Sequence, residues 1–482
     1  MLFSSLIFLY LFLPLTLLGY YLSPAGIKNY WLLFTSLIFF AWGGVSMTLL
    51  LLVSIVLNYF FGLRIDAAKP TGASRWWLIA GVTVNVGLLC FYKYADFFVK
   101  NLNKILEGAG LGEITQPEVS LPIGISFYTF HALSYLTDIY RGKTSAQKNI
   151  FNLALYITMF SQLIAGPIIR YSDVWQQLTR RTHTMSRFVS GIERFLIGLF
   201  KKVLLANTFA RVADPVFDDH ILDMSAPLAW LGLLCYTLQI YYDFAGYSDM
   251  AIGLGRMFGF EFMENFNFPY LAGSVKDFWR RWHISLSGFF RDYVYIPLGG
   301  NRLGPFRTYV NLLTVFFLTG LWHGASWNFV VWGLFHGLFM LAERAGMERL
   351  LEGLWRPVQT IYTVVVVMFA WAMFRVESIG NGILYWKDLL NLNTTPLQFA
   401  DFMKFVTPEL LVCLLIGIFG ALGGFMKFKT WHEKLSNEGS GATTLPQAIY
   451  QLLTVVLFMG LFYLCTNYLL AGGYNPFIYY RF

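Results

Sequence analysis

The sequence predicts an all-α integral membrane protein: a polytopic bundle of about 11–12 spans with additional re-entrant and interfacial helices. The first observation is composition, because the 482 residues are 57% hydrophobic and only 13% charged. A soluble domain carries about 25% charged residues. Second, apolar segments follow one another without a Pro/Ser-rich linker, which predicts a single membrane-embedded domain over residues 1–482. Third, the cations cluster in alternate loops, as they do in multi-pass proteins.

The predicted spans are read from runs of apolar residues. The first run lacks the basic start and small-residue cleavage site of a secretory signal, so it is interpreted as an uncleaved span. The spans lie near residues 2–22, 30–42, 45–63, 76–98, 121–140, 189–210, 225–248, 308–327, 328–342, 357–378, 408–426 and 447–470.

The net charge of +8 would suggest a nucleic-acid partner in a soluble protein. Here the positive-inside rule explains most of it, so no nucleic acid is expected. The basic loops, predicted to be cytoplasmic, are 64–75, 141–148, 170–202, 280–307, 344–356 and 427–434. The loops predicted to lie outside are 107–118, 214–223 and 377–409. The first cation, Lys28, follows the first span, which favours an outside N-terminus.

Three segments do not resemble simple spans. Residues 150–169 are apolar but flanked by basic loops, which favours a re-entrant segment. Residues 170–188 are polar and basic, as in a surface helix. Residues 261–305 mix aromatic side chains with cations and predict short helices at the headgroup level.

His323 is the strongest candidate for a functional residue. It lies within residues 310–332, a segment without Asp, Glu, Lys or Arg that is long enough to cross a bilayer. An ionisable group at that depth marks a functional site by default. The alternative is a neutral histidine satisfied by a nearby backbone carbonyl.

Other titratable residues carry weaker signals. Asp243 and Asp249 are separated by roughly 240° around a helix, so they are not a carboxylate pair. Asp243 could orient or balance a buried base, or it could be locked to Tyr hydroxyls or an Arg. His336 would lie about 20 Å from His323 on one continuous helix and is interpreted as a packing residue. No spacing of histidines or cysteines predicts a metal site, and the remaining histidines carry no clear signal: His131, His183, His220 and His432.

A cationic cluster precedes His283. Arginine is suited to bidentate phosphate contacts and to stacking on an adenine ring, so the cluster could hold a phosphorylated ligand. Anchoring to anionic lipid headgroups explains the same residues. The cluster comprises Trp279, Arg280 and Arg281, with Arg291 nearby.

Seven short motifs are distributed over the whole chain. They are Leu121–Phe130 (LPIGISFYTF), Ala165–Ile168 (AGPI), Tyr242–Asp249 (YDFAGYSD), Asn265–Tyr270 (NFNFPY), Phe278–Ser287 (FWRRWHISLS), Gly320–Gly324 (GLWHG) and Pro476–Phe482 (PFIYYRF). In combination they resemble the membrane-bound O-acyltransferase family, and within it the alginate O-acetyltransferase branch of bacterial inner-membrane proteins.

The resemblance implies a helical bundle around a central tunnel in the bacterial inner membrane. It implies acetyl-CoA as the donor, entering from the cytoplasm, and a periplasmic acceptor: a partner acetyltransferase, an exopolysaccharide such as alginate, or both. The family's essential histidine corresponds to His323, which would act as general base, and its second histidine to His283. Arg280 and Arg281 would meet the coenzyme phosphates. The tunnel would be shaped or supported by Trp322, Trp327, Asp243 and Tyr247.

Several alternatives stay open. An acyl-histidine relay is not separated from direct transfer. A sister enzyme that moves D-alanine from a carrier protein towards teichoic acid would use similar basic loops. A proton-coupled transporter would also need intramembrane His and Asp residues, although no inverted repeat is visible. The longest predicted outside loop, about 376–408, is too short to grip a polymer, which favours a partner protein.

Overall fold

The computed structural model describes residues 1–163, 166–218, 224–391, 393–426 and 445–476. All regular secondary structure in these ranges is helical, as the composition predicts. The helices are α1 (Phe8–Leu22), α2 (Lys28–Ala41), α3 (Val45–Ala67), α4 (Ser74–Gly108), α5 (Ile125–Tyr140), α6 (Ile150–Thr158), α7 (Phe160–Leu163), α8 (Tyr171–Val174), α9 (Met185–Phe200), α10 (Asn207–Asp218), α11 (Ala226–Met257), α12 (Val275–Arg281), α13 (Ile284–Phe290), α14 (Pro305–His323), α15 (Trp327–Ala342), α16 (Glu348–Glu352), α17 (Arg356–Arg375), α18 (Ile379–Leu390), α19 (Pro396–Phe405), α20 (Pro408–Ala421) and α21 (Leu445–Leu470).

Four helices in the described ranges are long and apolar enough to cross a membrane by length and composition alone. They are α3, α4, α17 and the Ala448–Leu470 part of α21. α19 and α20 pass the same test as a pair, bent by 71°. α11 is long as well, but Gln239 and two aspartates interrupt its apolar residues. The expected number of spans stays a prediction.

α11 is the central helix of the bundle, with nearly all of its side chains buried. α9 packs along it at backbone distance, because an ideal Cβ at Gly198 would lie only 2.4 Å from the carbonyl oxygen of Gly246. One hydrophobic core lies mainly among α1–α9, and a second lies mainly among α10–α20. α11 contributes to both cores and therefore joins the two parts of the bundle.

A third, smaller core cluster connects α5, α13 and α14. Its aromatic members include Phe130, Phe289 and Trp322, and the Phe130 ring stacks on Trp322 at 5.3 Å between centroids. This cluster matters for function because it lies beside both histidines singled out in the sequence.

The apolar segment 310–332 is divided between two helices, as in the predicted spans 308–327 and 328–342, but the first helix ends earlier than predicted. α14 ends at His323, where Gly324 is extended (φ −166°, ψ 152°), and α15 starts at Trp327. The two helices pack closely, since a Cβ at Gly333 would lie 2.3 Å from the carbonyl oxygen of Phe316. His323 therefore occupies the end of a helix, at the turn of a hairpin, rather than mid-span.

Two predictions about local structure were wrong. Residues 170–188 do not form one surface helix: α8 is a single turn, α9 begins only at Met185, and between them Arg181 donates to the Tyr20 hydroxyl and to Asn29 from non-helical chain. The predicted outside loop, 376–408, contains two helices, α18 and α19, whose first turns are capped by Ser378 and Thr395.

Two other predictions hold. Residues 150–163 form only the short, buried helices α6 and α7, which fits a re-entrant segment because neither is long enough to span. Residues 261–305 contain short helices only, among them α12 and α13 of seven residues each. His220, His432, Ala165 and the segments 427–434 and 477–482 lie outside the described residues.

Candidate active site

His323 is enclosed by aromatic rings at the end of α14. Its ring centroid lies 4.8 Å from Trp322, 5.0 Å from Trp332 and 5.2 Å from Phe374. The residue is 8% exposed, and within the described part of the chain neither ring nitrogen makes a hydrogen bond. The alternative of a histidine satisfied by a backbone carbonyl is therefore not what the structure shows. Both nitrogens remain available for an incoming group.

His283 is held in an unusual backbone conformation between α12 and α13. It has φ 44° and ψ 54°, the left-handed region that a non-glycine residue rarely adopts. Such strain persists only where the surroundings fix it, and it clusters at functional sites. Here the backbone N–H of Ile284 donates to Asn265 at 2.9 Å, and the ring is packed edge-on against Phe244 at 4.6 Å.

The hydrogen bonds around Asn265 assign the tautomer of His283. The amide oxygen of Asn265 accepts from the backbone N–H of Ser285 at 3.2 Å and from its hydroxyl at 2.9 Å. Nδ1 of His283 lies 3.2 Å from the same oxygen and so must donate to it. The lone pair of the neutral ring is then on Nε2.

Trp322 brings the two predicted histidines together. Its ring centroid is 6.1 Å from His283 and 4.8 Å from His323. Trp322 thus lies beside both histidines, while its expected role in shaping a tunnel stays a prediction. A third histidine, His336, approaches from α15 because the hairpin folds it back: its ring is 5.2 Å from Trp332, which also contacts His323.

Lys93 of α4 is a site neighbour that the sequence analysis missed. Its ammonium donates a short hydrogen bond to the carbonyl oxygen of Trp322 and lies 3.4 Å from that of His323. The adjacent Tyr94 hydroxyl donates to the carbonyl oxygen of Leu321 at 2.6 Å. The signal was available, since Lys93 is the sole charged residue between positions 76 and 95.

The structure gives Asp243 and Tyr247 partners other than the two histidines, and their expected support of the tunnel stays a prediction. The Asp243 carboxylate is 2.6 Å from Lys202, and both side chains are 2% exposed. Lys202 also donates to the carbonyl oxygen of Pro476. Tyr247 stacks on Phe3 at 4.5 Å. Asp243 therefore balances a buried lysine.

Trp327 does not line the site around His323. It is 51% exposed, and its indole N–H donates to Asn101 at 2.8 Å near the end of α4. It begins the helix after the turn, so its ring points away from His323 and lies against Phe97.

The predicted donor-binding residues separate into buried and exposed groups. Trp279 is buried against Phe316, Trp332 and His336, so it supports the floor of the site and does not face an incoming phosphate. Arg281 pairs with Asp277 at 3.0 Å, one helical turn earlier.

Arg280 is exposed and lines a surface pocket of ≈ 170 Å³. The pocket also carries two further cationic side chains, one from the same helix as Arg280 and one from α17, and three carboxylates. Its charged lining residues are Lys276, Asp277, Arg280, Glu348, Glu352 and Arg356. The pocket lies between α12, α16 and α17, on the side predicted to be cytoplasmic.

Arg291 does not line this pocket. Its side chain is 64% exposed and donates to Asp292 at 2.7 Å, while Arg170 contacts the same carboxylate at 2.5 Å. Burial alone would raise the pKa of Asp292, but the hydrogen bond from Arg291 and the charge of Arg170 outweigh it and keep that pKa below its ordinary value. Arg291 is therefore part of an ion-pair network between α8 and the segment after α13.

Comparisons with known proteins bear on this arrangement. The model of the membrane-bound O-acyltransferase family matches residues 126–385, which include both histidines. A probable alginate O-acetylase AlgI of Azotobacter vinelandii is 42% identical over 100% of both chains. Another, from Pseudomonas aeruginosa, is 47% identical and covers 83% of this chain and 76% of its own.

Two relatives carry other names. A peptidoglycan O-acetyltransferase of Helicobacter pylori is 37% identical over 82% of this chain and 80% of its own. A teichoic acid D-alanyltransferase of Bacillus subtilis is 30% identical but covers only 45% of this chain and 58% of its own.

Proposed function

Because the chain belongs to the membrane-bound O-acyltransferase family, and is a multi-pass membrane enzyme of acyl transfer, we propose that it moves an acetyl group from acetyl-CoA to a hydroxyl acceptor. The donor would enter from the cytoplasm and the acceptor from the other side of the bacterial inner membrane, through the predicted tunnel. The observation that carries this proposal is the juxtaposition of two buried histidines on one tryptophan ring, inside the region that matches the family.

His323 is the proposed general base. A base must bring an open lone pair to the hydroxyl proton that it removes, and the ring of His323 is held by aromatic contacts rather than by hydrogen bonds. An imidazole has an unperturbed pKa near neutrality, which suits this task. The surrounding rings of Trp322, Trp332 and Phe374 would exclude water, which would otherwise hydrolyse the thioester.

His283 is proposed to contact the donor. Its Nδ1 is committed to Asn265, so Nε2 is the nitrogen that would meet the thioester or its pantetheine arm. Direct transfer and an acyl-histidine relay both fit this geometry. In direct transfer, the acceptor oxygen bonds to the acetyl carbon, the sulfur leaves as thiolate, and His323 holds the hydroxyl proton that finally reaches that thiolate.

Arg280, with Lys276 and Arg356 in the same pocket, is proposed to bind the phosphates of coenzyme A. Guanidinium groups bind phosphate oxygens in a bidentate way. Arg291 is left out of this proposal because it does not line the pocket.

The acceptor is proposed to be a periplasmic acetyltransferase, an exopolysaccharide such as alginate, or both in succession. The names of relatives that align over all or most of the chain support acetyl transfer. Relatives named for D-alanyl transfer align over only about half of it, which makes carrier-bound D-alanine the second candidate. Among the described residues, the buried histidines are the one feature that would also suit a proton-coupled transporter.

The test is transfer of radiolabelled acetyl from acetyl-CoA by the purified protein in lipid, with candidate periplasmic partners supplied. His323→Ala should lower turnover by at least about a hundredfold, the usual contribution of a general base. His183→Ala is the matched control, because this exposed histidine lies beside Tyr20, away from the site, and it should leave turnover unchanged.

The other outcomes are equally informative. Wild-type turnover by His323→Ala would show that His323 is not the general base. No turnover by folded wild-type protein with several partners would favour a carrier-bound donor over free acetyl-CoA.

A further inference from the structure

The last carbonyl groups of α14 have no hydrogen-bond donor within the helix. The final carbonyl groups of a helix lack intrahelical donors, and Gly324 leaves the helix in an extended conformation, so no left-handed cap closes the turn. Within a membrane no water stands ready to replace such donors. The carbonyl groups concerned belong to Leu321, Trp322 and His323.

All three carbonyls are met by two neighbouring residues of α4. Tyr94 donates to Leu321 at 2.6 Å, while the Lys93 ammonium donates to Trp322 and approaches His323 at 3.4 Å. Lys93 also lies 5.8 Å from the Trp322 ring centroid, over its face. A cation here opposes the negative end of the helix dipole.

We propose that Lys93 is a positioning residue: its ammonium fixes the last turn of α14, and thereby places the imidazole of His323 and the Trp322 ring for acyl transfer. The inference rests on the proposed role of His323. The side chain of His323 makes no hydrogen bond of its own within the described chain, so its place depends on its backbone and on ring contacts. Loss of this charged donor to that backbone would let the imidazole shift.

The test compares Lys93→Met and Lys93→Arg in the full-length protein in lipid. Lys93→Met should lower kcat by about a hundredfold, the cost of misplacing a reacting group by about 1 Å. Its KM for acetyl-CoA should stay within about twofold, because the interaction belongs to the transition state. Lys93→Arg keeps a charged donor and should recover most of the loss. Lys100→Met is the matched control: the same change on the exposed part of the same helix, expected to leave kcat unaltered.

A second readout does not depend on turnover. Hydrogen exchange of a peptide covering residues 318–326 should quicken in Lys93→Met, while a peptide from the middle of α11 should not change. Wild-type kcat in Lys93→Met, or unchanged exchange in residues 318–326, would overturn the proposal.

Two further outcomes are also decisive. If Lys93→Met fails to accumulate as folded protein, Tyr94→Phe is the deciding variant. A several-fold lower kcat at constant KM would show that α4 holds the last turn of α14 in place for catalysis, and a wild-type kcat would overturn the proposal. If the wild-type protein transfers no acetyl group, the proposed function fails, whereas hydrogen exchange still decides whether Lys93 fixes the turn.

Discussion

At the scale of single residues, the orientation of His283 depends on one amide. Asn265 is 1% exposed and accepts three hydrogen bonds, from His283 and from the backbone and hydroxyl of Ser285. It also donates to Ser248 of α11 at 3.1 Å. The amide thus ties the strained loop that carries His283 to the central helix.

Asn265→Leu should therefore impair both folding and catalysis. Leaving buried donors of His283 and Ser285 unpaired costs about 1–3 kcal/mol of the free energy of unfolding each. Acetyl turnover should fall by about tenfold or more, because the tautomer of His283 is no longer fixed. Thermal unfolding and turnover of Asn265→Leu and Asn265→Asp are the measurements.

Asn265→Asp retains an acceptor oxygen for Nδ1 and serves as the comparison. Equal turnover in the two variants would show that the amide oxygen does not govern His283.

The same rule, that an ionisable residue inside an apolar segment is costly, identifies His323 from sequence and would have identified Lys93. His283 could be singled out only through resemblance, because its left-handed backbone has no sequence signature of its own. The partner of Asp243 could not be predicted from the sequence, for a physical reason. That partner, Lys202, comes from another helix, and a sequence pattern does not tell which buried cation faces a buried carboxylate.

At the scale of elements, the α14–α15 hairpin depends on glycines at the helix contact. A Cβ at Gly333 would lie 2.3 Å from the Phe316 carbonyl oxygen, and one at Gly320 would lie 2.4 Å from that of Phe329. Backbone atoms cannot yield as a flexible side chain can, so the helices would have to separate.

Gly333→Ala should lower the free energy of unfolding by about 1–3 kcal/mol, as overpacking does, and should lower turnover because His323 and Trp332 lie on the two helices. Gly460→Ala in α21 is the control, since a Cβ there meets nothing within 4 Å. Melting temperatures in the same detergent give the comparison; equal values for the two variants would contradict close packing of the hairpin.

The sequence predicts elements well where charge and aromatic residues mark the headgroup region, as in α12 and α13. It places boundaries less accurately where the chain turns without charged residues. The break at residues 324–326 contains only small residues within an apolar run, and the predicted boundary between spans, at 327/328, lies just after it. The helix α18 was predicted as part of a loop. Its apolar residues pack against α11 and α17, but polar residues interrupt them in the sequence.

At the scale of the whole molecule, the orientation in the membrane rests on the distribution of cations, which the structure itself does not set. Single cysteines at exposed positions of two loops test it in a background without the four native cysteines. In intact cells an impermeant maleimide should label Glu113→Cys and leave Thr71→Cys unlabelled, because the loop of Thr71 is predicted to be cytoplasmic.

Permeabilised cells provide the control, in which both positions should react. Labelling of the Thr71 position alone in intact cells would reverse the orientation, and with it the sides assigned to donor and acceptor.

The position of His323 at the end of α14 has a consequence for the donor. From Pro305 to His323 the helix rises about 28 Å, close to the roughly 30 Å thickness of the hydrocarbon core. Its first residue follows a basic loop that also carries Arg280. A donor held at the basic residues just before Pro305 would therefore need an arm nearly as long as the bilayer is thick to deliver its acyl group to His323. Trp279, beside Arg280, instead packs on Phe316, only about two helical turns before His323. The pocket at Arg280 thus shortens the path that a thioester arm has to cover.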